Sequence, residues 1–444
     1  MRQNKEPEHF TDPLGSVNAL DAVFERRLRT HIAAPLAVAF SGGGDSLALL
    51  LAAKTWAGAN GRGVLALTVD HGLNPASADW TRRCGEIARR LGAAFQPLRW
   101  EGARPATGLP AAARAARHAL LAEAARDSGA RVILLGHTAD DRIEAAAMRA
   151  EGSTVSDPAE WAPSPAWPQG RGVFLLRPML GVRRAEIRDW LRERGETWID
   201  DPANEDERFA RARARSTLSS PDGRGGPSEG WWRGPRPGAS EASGPESMPP
   251  LPPPRTEPSP PRSAWSPSPV GGGLTLPVTA PAAHIAAACL CAAGTSRPPR
   301  GDRLERLVVR LRSGEAFTAT LAGARIASDG ATAVFTRDPG RAGLPEVALA
   351  PGQPVVWDGR FEILSDRPGT VRALGGLSRR LPKAQQAALR ALPATIRPTL
   401  PVMVSRDGAV SCPILADHPS VRATTLVLPR FEAAIGLVDV EPAV

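Results

Sequence analysis

Residues Leu36–Ser46 read LAVAFSGGGDS. The first five form a short apolar run, enough for one buried strand and too short for a helix. The next six set three consecutive glycines between two serines, and the stretch Leu47–Trp56 that follows is rich in Ala and Leu and reads as a helix. Strand, glycine turn and helix in that order open a βα unit. Three glycines let successive backbone N–H groups turn inward as a nest for an anion, and the following helix adds its positive N-terminal end. Ser41 and Ser46 supply hydroxyl donors around Gly42, Gly43 and Gly44. Asp45 would repel a phosphate unless it holds a cation, which points to Mg²⁺ bridging to phosphate oxygens. No Gly-Lys-Ser/Thr follows, so this is not a Walker A loop, and the glycine spacing is not the GxGxxG of dinucleotide sites. The plainer reading is a glycine-rich turn in which Asp45 or Ser46 only caps the helix.

Moving outward, the same alternation repeats. Val64–Val69 is a second buried-strand run, followed by a helix near Ala78–Leu91; Phe95–Trp100 is a weaker strand, and Leu109–Arg126 is helical. Arg131–Leu135 is a strand that leads through GHTADD into a helix ending near Arg149, and Val173–Leu176 with Arg183–Arg194 gives one more strand–helix pair. Alternation of this kind predicts an α/β fold, a doubly wound and mainly parallel sheet covered on both faces, over residues 30–215 after an N-terminal extension of residues 1–29. Ligands of such sheets bind at the carboxyl ends of the strands, where the polar motifs fall.

The composition changes abruptly near residue 216. Pro221–Val270 holds 15 Pro, 7 Gly and 8 Ser in 50 positions and almost no large aliphatics, too little apolar surface to offset its ordering entropy. Residues 216–273 therefore read as a Pro/Ser/Gly-rich linker or altered segment. From 274 to 444 the chain reads as globular again, a small α+β C-terminal region with helices at His284–Ala293 and Arg303–Arg312 and short strands at Phe317–Ala322, Ala333–Thr336 and Phe361–Leu364. The net charge is +9 and nearly all of it is arginine, with lysine only at Lys5, Lys54 and Lys383. Arginine suits bidentate phosphate contacts and base stacking, so the charge suggests a nucleic-acid partner; a GC-rich coding bias would produce the same excess. Four cysteines with no CxxC pair, no secretory signal and no apolar run of about 20 residues point to a cytoplasmic protein with free thiols, without a cluster and without a membrane span.

SGGGDS resembles the SGGxDS loop of the N-type ATP pyrophosphatases, which cleave ATP between its α- and β-phosphates and adenylate a substrate. Four further segments, in order, narrow the resemblance to the tRNA(Ile)-lysidine synthase family. Asp70-His71-Gly72-Leu73 is similar to DHGLR, and Gly136 through Glu144 with Met148-Arg149 is similar to GHHADDQAETxxMR. Arg177-Pro178-Met179-Leu180 with Arg183 and Glu186-Ile187 is similar to RPLLxxxRxEI, and Asp200 to Asn204 with Phe209, Arg211, Arg213 and Arg215 is similar to DPSN…F.RNRIR. The chain departs from the pattern where a Gly-rich loop should follow Met148-Arg149, at Ala212 in place of Asn, and after Arg215.

The resemblance implies an ATP-dependent ligase. The O2 of the wobble cytidine of tRNA(Ile) attacks the α-phosphate of ATP; the ε-amine of free L-lysine then attacks C2 and expels AMP. It points to Asp45, His137, Asp141 and Glu144 as catalytic, to Ser41–Ser46 and Arg114 for ATP, to Asp45 for Mg²⁺, and to Arg211, Arg213 and Arg215 for tRNA, with residues 274–444 a tRNA-binding region. Asp141 and Glu144 are three apart and share a helix face. Each residue has a plainer reading beside this one. Thr138 and the two aspartates suit a helix N-terminus, His71 suits a hydrogen-bonded structural histidine, and Arg114 with Arg117 suits a solvated helix face. Another tRNA-adenylating enzyme of the superfamily and a non-catalytic tRNA-binding relic are the alternatives.

Overall fold

The computed structural model describes residues 17–199 apart from 103, 154 and 156, then 266–268 and 272–443. The alternation is realised as expected. β1 (Leu36–Ala39), β2 (Val64–Asp70), β3 (Ala94–Arg99), β4 (Val132–Leu134) and β6 (Phe174–Leu176) pair in parallel, and β5 (Trp161–Pro163) adds an antiparallel edge, in the order β3-β2-β1-β4-β6-β5. Leu36 and Val38 of β1 face one layer, in which α1 (Val17–Arg27), α2 (Gly44–Ala59), α3 (Ser77–Arg90) and α6 (Arg184–Glu193) bury Phe24, Leu47, Leu50, Ala88 and Leu191. Ala37 faces the opposite layer, where α4 (Leu109–Asp127) buries Leu121, Ala122 and Ala125 against Leu65, Leu67 and Ile133. Near-continuous apolar strands follow directly from burial on both faces. α1 lies within the stretch read as an N-terminal extension, and its Leu20 and Phe24 join the same core.

The order reverses between β1 and β4: the chain steps from β1 to β2 in one direction, and β4 returns on the other side of β1. The turns after β1 and β4 thus leave the sheet in opposite directions and open a crevice between them. The turn after β1 is the glycine loop. The turn after β4 leads into α5 (Ala139–Ala150).

The C-terminal region is α+β. Strands at Ser266–Ser268, Gly273–Pro277, Thr332–Arg337, Ala324–Asp329 and Ala316–Leu321 form one antiparallel sheet, against which the helices Ala282–Ala293 and Gly301–Arg312 bury Ile285, Cys289 and Leu311. Two smaller antiparallel sheets follow, joining residues 347–425. Ser266–Ser268 falls inside the stretch read as a linker and pairs on the sheet edge with Gly273–Pro277; the rest of that stretch up to residue 265 lies outside the described residues.

The C-terminal tail returns to the first unit. Arg62 and Glu441 form a bidentate ion pair, at 2.7 and 2.9 Å, with both side chains fully buried. The Arg62 guanidinium also donates to the carbonyls of Arg29 and Ala34. Glu441 accepts from the backbone N–H of Arg29, and Trp161 of β5 donates to the carbonyl of Val438. A buried pair adds little net stability, but removing one partner leaves an uncompensated charge. Glu441→Ala is therefore expected to destabilise the sheet of β1–β6 by roughly 3–5 kcal/mol, read as a fall in the urea midpoint followed by the fluorescence of Trp56 and its neighbours. An unchanged midpoint would show that the tail contributes nothing to that core.

Candidate active site at the sheet crossover

The glycine loop is held open by its own backbone. Gly42 has φ +81°, and a Cβ there would stand 2.6 Å from Ile199 Cδ1 and 2.9 Å from Cys84 Sγ, so both conformation and space demand glycine. The carbonyl of Gly42 accepts from the Ile199 N–H at 2.9 Å, which fastens the segment before the DPAN motif across the loop. Ser46 Oγ donates to the Gly43 carbonyl at 2.9 Å, accepts from the Ser41 N–H and lies 3.1 Å from Ser41 Oγ. Gly43 caps α2 and has no side chain to satisfy the first amides of the helix, which start beside the loop.

Three carboxylates meet where the two turns diverge. Asp45 comes from the first turn of α2, and Asp141 and Glu144 come from one face of α5. Gly136 permits this: a Cβ there would lie 3.2 Å from the backbone of Asp45 and Ser46, tight enough that a side chain would push the turn after β4 and the loop a few tenths of an ångström apart. The charge at the centre comes from Arg184. Its Nε donates to Asp45 Oδ2 at 3.0 Å, Nη1 to Glu144 Oε1 at 3.2 Å and Nη2 to Asp141 Oδ2 at 3.4 Å. Asp141 also closes a capping box, accepting from the N–H and Oγ of Thr138 at 2.9 and 3.0 Å. The plain reading of Asp141 as a helix-capping carboxylate is met, and the same oxygen also faces Arg184. Asp140 turns away, takes the backbone N–H of Arg184 at 2.7 Å and pairs with Arg183, which fixes the start of α6 against α5.

The electrostatics follow from this packing. Burial raises Asp45 above the usual carboxylate range even though Arg184 pulls it down. Burial alone would lower Arg184, but Asp45, Asp141 and Glu144 outweigh it and hold the guanidinium more firmly protonated. Burial likewise opposes the charge on Asp140, yet the amide of Arg184 and the side chain of Arg183 hold it below the usual range.

Beside the carboxylate cluster, and sharing Asp141 with it, the site opens into a cleft of about 1180 Å³ whose lining includes His71, Arg114, Arg117, His118, His137, Asp141 and Arg177. Its walls come from α4, α5 and residues 155–169 rather than from the glycine loop. Burial, with Arg117 and Arg114 beside it, pushes His118 down to about 3, so it is neutral. Burial and Arg114 bring Arg177 to about 10, still protonated at neutral pH. His71 is lowered by burial and Arg117 and stands edge-on to Trp100 at 6.2 Å, but its buried Nδ1 has no hydrogen-bond partner among the described residues, so the reading as a hydrogen-bonded structural histidine is not met at that atom.

The structure thus brings Asp45, Asp141 and Glu144 together and puts His137 and Arg114 on the adjoining cleft. Arg211, Arg213 and Arg215 lie outside the described residues. Asp45, which the resemblance assigns to Mg²⁺, meets Asp141 and Glu144 around Arg184. Among the described residues no group of three or more His, Cys, Asp or Glu is set to hold a metal ion by itself. The oxygen donors of Asp45 suit Mg²⁺ where phosphate oxygens and water complete its shell. Sequence reasoning missed Arg184, which sits between the two quoted residues Arg183 and Glu186. Only the structure supplies the reason: one half-buried and two buried carboxylates converging on one point need a cation.

Two comparisons bear on the family. The model of the PP-loop domain matches residues 18–221. The chain is 50% identical over 430 residues to the tRNA(Ile)-lysidine synthase of Caulobacter vibrioides, covering 95% of this chain and 98% of that protein. It is 35% identical over 389 residues to the tRNA(Ile)-lysidine synthase of Rhizobium meliloti, covering 84% of this chain and 83% of that one. The glycine loop, the crossover site and similarity running through both ends of the chain have one source: the chain belongs to the tRNA(Ile)-lysidine synthase family.

Proposed function

We propose that this chain makes lysidine on tRNA(Ile) with ATP, and that the convergence of Asp45, Asp141 and Glu144 beside the glycine loop is the centre of the reaction. The single supporting observation is the Arg184 hub. It gathers carboxylates from both turns of the sheet crossover into one place, next to the phosphate nest of a PP-loop. In the first step the O2 of the wobble cytidine attacks the α-phosphate and pyrophosphate leaves. The amides of the loop from Gly42 to Ser46 receive that developing charge. Asp45 would hold Mg²⁺, which when bound neutralises phosphate oxygens. In the second step the ε-amine of free L-lysine attacks C2, the bond from C2 to the AMP oxygen breaks, and AMP leaves with the electron pair. Asp141 and Glu144 offer negative charge to the lysine ammonium, and Arg114 offers positive charge to phosphate from the cleft wall. Arg211, Arg213 and Arg215 contact the tRNA backbone in this reading, together with the basic C-terminal region.

Asp45→Asn separates catalysis from folding. The folded Asp45 carboxyl titrates above its unfolded value, so it contributes stability only at acid pH. That contribution is lost as pH rises through the folded pKa, and at neutral pH the ionised group opposes folding. The neutral amide is therefore expected to keep or raise the melting temperature at neutral pH, while tRNA-dependent ATP–pyrophosphate exchange falls about 10²-fold or more. Near wild-type exchange would remove Asp45 from the mechanism. Mass spectrometry of tRNA(Ile) after reaction with lysine identifies the product.

Binding offers a second check. If the arginines meet phosphates, log affinity for tRNA should fall linearly with log salt, by about 0.7 to 0.9 per contact. Arg215→Ala should reduce that slope by about one unit. An affinity indifferent to salt would reduce the basic composition to coding bias.

A further inference from the structure

His137 is held by one neighbour whose chemistry leaves no choice of direction. Arg177 follows β6 and is 8% exposed. Its Nη1 donates to the carbonyl of Ala159 at 2.7 Å, and its own N–H donates to the carbonyl of Glu160 at 2.8 Å. So fastened, its Nε lies 3.2 Å from His137 Nδ1. A guanidinium carries five N–H donors and no acceptor, so Nδ1 must be the acceptor. A neutral imidazole has one N–H and one lone pair; with the lone pair on Nδ1, the hydrogen is on Nε2. Protonating Nδ1 would point N–H at N–H and set two cations against each other. The other charged groups lining the cleft do not reverse this: Arg114 and Arg117 add positive charge, His118 is neutral, His71 is lowered, and Asp141 and Asp157 are the carboxylates present.

We propose that Arg177 is a positioning residue that fixes His137 as the Nε2–H tautomer of a neutral imidazole. His137 then serves as a hydrogen-bond donor to charge developing on oxygen and not as the base that deprotonates lysine. The second half of this rests on the lysidine-forming reading; the first half does not. The role requires no net proton transfer at His137. The lysine proton goes instead to another group, with Asp141 and Glu144 the carboxylates nearest that task.

The test is long-range ¹H–¹⁵N spectroscopy of the full chain labelled with ¹⁵N-histidine, with His137 assigned through its loss in His137→Gln. At neutral pH the expected pattern is Nδ1 in the unprotonated range and Nε2 in the protonated range. Arg177→Lys, which keeps an obligate donor, should retain that pattern. Arg177→Gln, whose amide can also accept, should mix tautomers. The same Gln variant should lower kcat for lysidine formation about tenfold or more, with KM for ATP within about twofold, and Lys should restore part of the loss. An Nδ1–H tautomer or an imidazolium in the wild-type chain at neutral pH overturns the proposal, whatever the variants do. So does an Arg177→Gln variant with tautomer and kcat unchanged. If the tautomer is as stated but the chain forms no lysidine, the positioning stands and the reading of the reaction fails.

Discussion

One guanidinium holds this site together. Three carboxylates drawn from two helices would repel each other at the crossover, and in a half-buried place that repulsion is weakly screened. Arg184 occupies the point they share. It sits in the first turn of a third helix, and that helix is itself pinned by Asp140 on the neighbouring turn. The elements that build the sheet on either side of the crossover are thus tied at one charge. Gly136 serves the same end: it lets the turn after β4 come close to the backbone of Asp45 and Ser46, so that a single side chain spans both turns.

The site has two electrostatic halves that meet at α5. One half is acidic and balanced by Arg184, beside the phosphate loop. The other is a cleft lined by arginines and by histidines held neutral. α5 joins the two: Asp141 pairs with Arg184 and also lines the cleft, and the turn bearing His137 stands just before the helix.

Most of the first unit was legible in residue order. Leu36–Phe40, Val64–Val69 and Arg131–Leu135 are apolar, short and bounded by polar turns, so burial on both faces leaves few alternatives. The motifs fell at strand ends, where the crossover places a site. The C-terminal region was legible only in part. Ala324–Asp329 alternates buried and exposed residues but reads ARIASD, with an Arg and an Asp outside and only Ala, Ile and Ser inside, so no apolar alternation stands out. The pairing of Phe361–Ser365 with Val421–Thr425 joins strands far apart in the chain, which no local pattern encodes. Arg184 was invisible for a different reason: in a chain rich in arginine one more carries no signal until its partners are known.

The tail contact sets an order of events during synthesis. Arg62 is buried against Glu441, 379 residues later. While the ribosome is still making the intervening chain, the carboxylate that completes the pocket around Arg62 does not yet exist. The sheet can assemble early, since its strands lie close in order, but the turn that carries Arg62 into β2 is completed only once Glu441 is present. A chain broken off after its catalytic motifs but before residue 441 would carry every residue of the active site and still expose an unmatched arginine.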